Sequence, residues 1–239
     1  MAPARRTRVL LVIVAGLVVI AGGTFLWLTV ALSGGLGSWL ETLQGAPGAE
    51  EIDAARAPAL AAVRLEHDLL ARGAFPAGAA ESVHDACYEG QHNFKIQDPY
   101  AHRCTLRVTR YHGLDGDFRE QVLALAGRLT SLGWSGGDLE RVVTGYLDRN
   151  GGTTAGTGVG DLPSPLPYRK AGNSLELRYA DRATADLEPY HYAQIVNFGG
   201  ATPFHEREEL VDVPAVVRDV TAAHPFLLVV SIETHYLED

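Results

Sequence analysis

The sequence predicts an α+β fold: a single N-terminal transmembrane helix, followed by a mixed β-sheet with helices mainly on one face. Three observations predict it. A run without charge, Val9 to Leu32, follows Arg5, Arg6 and Arg8. Segments of helical period and segments of period two then succeed one another along the rest of the chain. Two cysteines, Cys87 and Cys104, both fall in the part that the first observation places outside the cell.

The apolar run sets the topology. As a helix it spans roughly 36 Å at ~1.5 Å per residue, and crossing a bilayer core takes about 20 such residues. A helix also satisfies every backbone N–H and C=O within the segment, as lipid demands. Phe25, Trp27 and Trp39 suit a headgroup boundary. After the run the next basic residue is Arg56, whereas Glu41, Glu50, Glu51 and Asp53 come sooner. The positive-inside bias then makes residues 1–8 a cytoplasmic tail and 9–32 the membrane span. Residues 33–57 become a juxtamembrane linker and 58–239 an extracytoplasmic domain. Ala31, Leu32 and Ser33 have the spacing of a signal-peptidase site. The run exceeds the roughly 7–15 residues of a signal h-region, so an uncleaved anchor in the cell membrane is expected. The lipid bilayer is thus one expected partner.

Composition excludes some functions. Setting aside the three tail arginines leaves 17 basic against 29 acidic residues, a formal charge of −12. Such a domain is a poor match for nucleic acid. Arginine outnumbers lysine 18 to 2, with abundant alanine and glycine, a bias of high-GC bacterial coding. An even cysteine pair in an oxidising space predicts the disulfide Cys87–Cys104. The spacings His84-x-x-Cys87 and His102-x-Cys104 are not those of a zinc module, and no metal or cofactor is expected.

The elements follow in order. Ser33 to Gly48 is a juxtamembrane piece with Leu36, Trp39, Leu40 and Leu43 at helical spacing. Glu50 to Arg72 favours a helix, with Ala62, Leu65 and Leu69 as its apolar stripe, either packed on the domain or standing as a stalk. Gly73 to Ala101 reads as polar and irregular. Cys104, Leu106 and Val108 alternate with polar residues as a half-buried strand. Asp117 and Glu120 make a capping box for a helix through Leu132, stopped by Gly133. Leu139, Val142, Val143, Tyr146 and Leu147 predict a second helix. Gly151 to Asp161 is a glycine loop that follows a helix and lacks a Lys-Ser/Thr pair, so it is read as a surface loop and not a phosphate cradle.

Leu175, Leu177 and Tyr179 form a second strand. Ala183 to Glu209 has no stable period, although Tyr192 to Phe198 fits an edge pairing. Asp212 caps a third helix that Pro225 closes. Phe226 to Tyr236 is the strongest strand, continuously apolar in its first half and hence central. Counting chain reversals puts the second strand antiparallel to the first and parallel to the last, by a right-handed crossover.

Chemistry is sparsely marked. His84, Asp85, His92 and His102 form the one local histidine–carboxylate cluster, drawn together by the disulfide, and they are the candidate ligand set. There is no Gly-x-Ser-x-Gly elbow, and both cysteines are assigned to the bridge, so no nucleophile stands out. Tyr190, Tyr192, Phe198 and Phe204, with His191 and His205 between, offer a binding face or a cover for the sheet. The expected function is a binding or interaction module of the cell envelope, with an envelope protein as partner. An envelope hydrolase using the histidine cluster and a structural subunit of a membrane complex are the alternatives.

Overall fold

The computed structural model describes residues 46–72, 78–92, 96–149, 166–181, 193–196 and 201–239. The anchor Val9–Leu32, the glycine loop and Tyr190, His191, Tyr192 and Phe198 lie outside them. Among the described residues no helix is long and apolar enough to cross a membrane. The chain divides into two units. The first comprises residues 1–46, 89–101 and 239; the second comprises 47–88 and 102–238.

The second unit is an α+β domain built on an antiparallel sheet. Its elements are α1 (Ala49–Ala71), β1 (Ala80–Glu89), β2 (His102–Leu114), α2 (Phe118–Ser131), β3 (Ser135–Gly136), α3 (Leu139–Arg149), β4 (Leu166–Lys170), β5 (Asn173–Asp181), β6 (His205–Glu209), α4 (Val213–Ala223) and β7 (Phe226–Glu238). The strands lie in the order β3-β4-β5-β7-β2-β1-β6. As expected, β7 is central, and Leu227 to Ile232 are buried without interruption.

The expected mixed sheet is corrected. Both β2 and β5 pair antiparallel with β7, one on each side, and are therefore parallel to each other. The reversal that the sequence reading lacked is the β4–β5 hairpin, which turns at Ala171 and Gly172, both at positive φ. Pro167 inside β4 disguises that strand.

Each face of the sheet has its own core. Leu106, Val108, Leu175, Leu177, Leu228, Val230 and Ile232 point to one face. There they meet Val63 and Leu70 of α1, Val122, Leu125 and Leu129 of α2, and Leu139 and Val143 of α3. On the other face Tyr111, Leu227 and Val229 pack under Val213, Val217 and Val220 of α4. Among the described residues three helices pack on one face of the sheet and one on the other.

Local signals explain the helix ends. The Asp117 carboxylate accepts from Glu120 N at 2.9 Å. The C terminus of α2 closes with Gly133 N on Thr130 O and Trp134 N on Leu129 O, and Gly133 has φ +82°. Such a left-handed turn favours glycine. Asp212 caps α4 by accepting from Ala215 N.

Two further expectations fail. The buried stripe of α1 is Ile52, Arg56, Val63, His67 and Leu70, whereas Leu65 is 55 % exposed. Two basic residues sit on the buried side, so an apolar count selects the wrong face. The helix packs on the sheet and is no free stalk. The stretch read as irregular contains β1, whose residues from Ser82 to Tyr88 are buried on both faces. Ser82, His84 and Asp85 at buried positions erase the alternation.

Within the first unit, Gly90 N donates to Ala101 O at 2.7 Å and Gln91 N to the Asp98 carboxylate at 2.7 Å. His92 Nε2–H donates to Tyr100 O at 3.0 Å.

Candidate functional site

The predicted cluster is divided by the pleat. His84 and Asp85 are neighbours on β1 and so point to opposite faces. His92 lies in the first unit and is used by the Tyr100 carbonyl. His102 is buried on β2 with its ring edge-on to Phe204, centroids 5.6 Å apart. The disulfide joins β1 to β2, with Cα atoms of Cys87 and Cys104 4.0 Å apart, beside Ile52, Phe204 and Tyr236.

His84 is fully buried and faces β6. Its ring lies 3.1 Å from Glu206 and 3.5 Å from Glu208 through Nε2, while Nδ1 accepts from Val196 N at 2.9 Å. These three side chains are spaced for a metal ion. The backbone bond argues against one. With Nδ1 accepting an N–H, the ring proton resides on Nε2, the atom that faces the carboxylates. A metal ligand shows the reverse pattern, its second nitrogen donating to an oxygen. The set is a hydrogen-bonded tie between β1 and the edge strand β6.

Residues 193–196 do not pair at an edge but lie over the sheet. Ala193 O accepts from Arg107, Thr109 and Ser231 at 3.0–3.1 Å. The Ser82 hydroxyl donates to Gln194 Oε1 at 2.6 Å. Arg107 also pairs with Glu233 at 2.7 Å and with Glu176 at 3.4 Å. Arg107, Thr109, Ser231 and Ser82 all donate to acceptors within the fold, the pattern of a structural network.

Asp85 has partners that its sequence neighbours do not reveal. Its Oδ2 bonds Arg56 Nε of α1, and Arg56 reaches Glu209 at 3.4 Å. Its Oδ1 faces His205 Nε2 at 3.7 Å, too far for a hydrogen bond, and both atoms are buried without a partner. Burial, and then the Asp85 charge, push the Tyr236 hydroxyl well above the ordinary tyrosine range. No sequence signal connects these groups, because β6 and α1 lie far from β1 along the chain.

A cleft of about 580 Å³ opens where α2, β3 and the start of α3 meet. Ala126, Gly127 and Thr130 form its α2 wall, and Trp134, Ser135, Gly136 and Gly137 its floor. Asp138, Leu139, Glu140 and Tyr168 complete it. Gly136 has φ +138°, and a Cβ there would press on Pro167 O. Gly127 stands in the interior of α2, and a Cβ there would meet no atom within 4 Å. Among the described residues the only charged side chains in the lining are Asp138 and Glu140. Hydrogen bonds from the Arg141 backbone and side chain hold the Asp138 carboxyl below the usual carboxylate range, so it stays ionised. Trp134 is 4 % exposed, and its indole N–H is buried without an acceptor among the described residues.

No family model matches the chain, and neither a curated protein nor a solved structure is significantly similar to it.

Proposed function

We propose that the protein is a single-pass, membrane-anchored binding module of the cell envelope, with its N terminus cytoplasmic. Its ligand enters the cleft between α2 and the start of α3 and carries no negative charge. Gly127 is the observation that carries this reading. A glycine inside a helix costs about 1 kcal/mol relative to alanine, and nothing packs against it here. Its effect is to leave the α2 wall of the cleft open. The two carboxylates disfavour an anion and suit hydroxyl or ammonium donors. An acceptor on the ligand that reaches the Trp134 N–H would offset its burial, worth roughly 1–3 kcal/mol. The cleft volume lies within the roughly 300–1,000 Å³ of small-molecule sites. The disulfide supports an oxidising compartment.

Gly127→Leu tests the site. The variant is expected to fold with unchanged or raised melting temperature, because leucine is the better helix former. Ligand affinity, measured by calorimetry, is expected to fall at least about tenfold, ~1.4 kcal/mol. Unchanged affinity in a folded variant would refute the cleft as the site. Protease added to spheroplasts should degrade the domain and spare an N-terminal tag; the opposite protection would overturn the topology.

A further inference from the structure

We propose that α1 is an acid-released clamp: protonation of His67 frees the helix from the sheet and, with it, the two side chains that brace the cleft. His67 lies on the inner side of α1 between Val63 and Leu70 and is 1 % exposed. Its Nε2–H donates to the Val108 carbonyl of β2 at 3.1 Å. The docked ring is buried at an interface whose sheet side includes Leu106, Val108 and Val83, and that burial disfavours its charged form.

The charges around it do not welcome a second proton. From β2, Arg110 and His112 face it, and both raise the cost of an imidazolium. Asp68, on its own helix, is the one nearby acid that favours it, and Arg110 already bonds Asp68 at 2.6 Å. From β1, Glu81 is held by Arg64 and Arg110. At the far end of α1, Arg56 meets Asp85 and Glu209, Asp53 meets Arg207 of β6, and Tyr236 of β7 lies near them. Burial is the largest cause, and it brings the His67 pKa from 6.5 down to about 3.

The sign follows from linkage. A histidine freed from the interface binds a proton below its ordinary pKa, whereas the docked one does not until about pH 3. The released state therefore gains on the docked state as pH falls from about 6.5 towards 3. Each pH unit shifts the ratio by up to about tenfold.

Two side chains transmit the release. Arg128 of α2 donates to Leu69 O at the end of α1 at 2.8 and 2.9 Å. Lys170, beside Tyr168 on β4, pairs with Glu66 of α1 at 2.7 Å and lies 5.8 Å from the Trp134 ring centroid. Both grip α1 from elements that wall the cleft. The transmission to the cleft rests on the binding reading above; the release of α1 does not.

Hydrogen exchange of the full-length protein in detergent, without ligand, tests the release, with rates divided by the intrinsic rate at each pH. Protection of α1 is expected to fall by up to about tenfold per unit from pH 6.5 to 4.5, while Leu227 to Ile232 of β7 stay protected. His67→Gln retains a donor for Val108 O and cannot titrate, so its α1 protection should stay flat. His67→Leu, which fills the site with an apolar side chain, should stay flat as well. The clamp is refuted if wild-type α1 protection does not change with pH. It is equally refuted if both variants fall in step with wild type, or if β7 loses protection together with α1. Because no ligand is present, failure here is distinct from failure of the binding reading.

Discussion

Asp85→Ala lowers the unfolding free energy by about 3–5 kcal/mol, the cost of leaving a buried charge without its partner. Arg56 is only 9 % exposed, and after the substitution it keeps Glu209 alone, at 3.4 Å and on an exposed carboxylate. The penalty belongs to the stranded guanidinium more than to the lost bond. A second variant separates the two. In Arg56→Met/Asp85→Leu both charges leave together, and apolar side chains fill much of the same volume. Such replacements of a whole buried pair are often neutral or stabilising. Urea denaturation should therefore place the double variant well above Asp85→Ala and near wild type. A double variant no more stable than the single one would show that the pair stabilises α1 docking on its own account. An Asp85→Ala cost within about 0.5 kcal/mol, the range of an ordinary surface substitution, would show that Arg56 reaches solvent.

Loss of the disulfide comes next in size. Cys87 and Cys104 are 17 apart in sequence, and closing such a loop stabilises by about 3 kcal/mol in the chain-entropy model. Both are fully buried beside Ile52, so Cys87→Ala/Cys104→Ala is a better probe than serine, which would bury two hydroxyls. At about 2–4 °C per kcal/mol for a chain of this size, the melting temperature should drop by about 6–12 °C. Wild type in strong reductant should drop by a similar amount. A double alanine variant as stable as oxidised wild type would mean that the unfolded chain is already compact between the two positions.

Much of the fold is legible in the residues, and the exceptions share a physical cause. Helix α2 announces itself because Asp117 and Gly133 act through their immediate neighbours, and β2 because it alternates. The long apolar stretch of β7 reports a strand covered on both sides. Each missed element has a polar or irregular residue where a rule expects an apolar one. In β1 the buried positions include Ser82, His84 and Asp85, each bonded to a residue from a distant segment. Strand β6, His-Glu-Arg-Glu-Glu, is an edge strand whose charges blunt further pairing, and its charged residues leave no apolar period to read.

The candidate site shows the same division. Asp85 is marked by its position beside the disulfide, but its partner Arg56 and the facing His205 come from elements that only the tertiary fold brings near. The cleft was not visible in the sequence at all. Gly127 reads there as one more small residue on a helix, and its meaning depends on the empty space beyond it.

The most direct test of the binding reading uses Trp134 as its own reporter. Trp27→Phe and Trp39→Phe in the full-length protein leave Trp134 as the single tryptophan. Its indole N–H resonance and emission can then be followed against neutral polyols, amines and their anionic counterparts. Binding in the cleft gives a saturable change with an uncharged or cationic compound, weaker with the anionic counterpart and lost in Gly127→Leu. Tightest binding by an anion, or an equal response in Gly127→Leu, would contradict it.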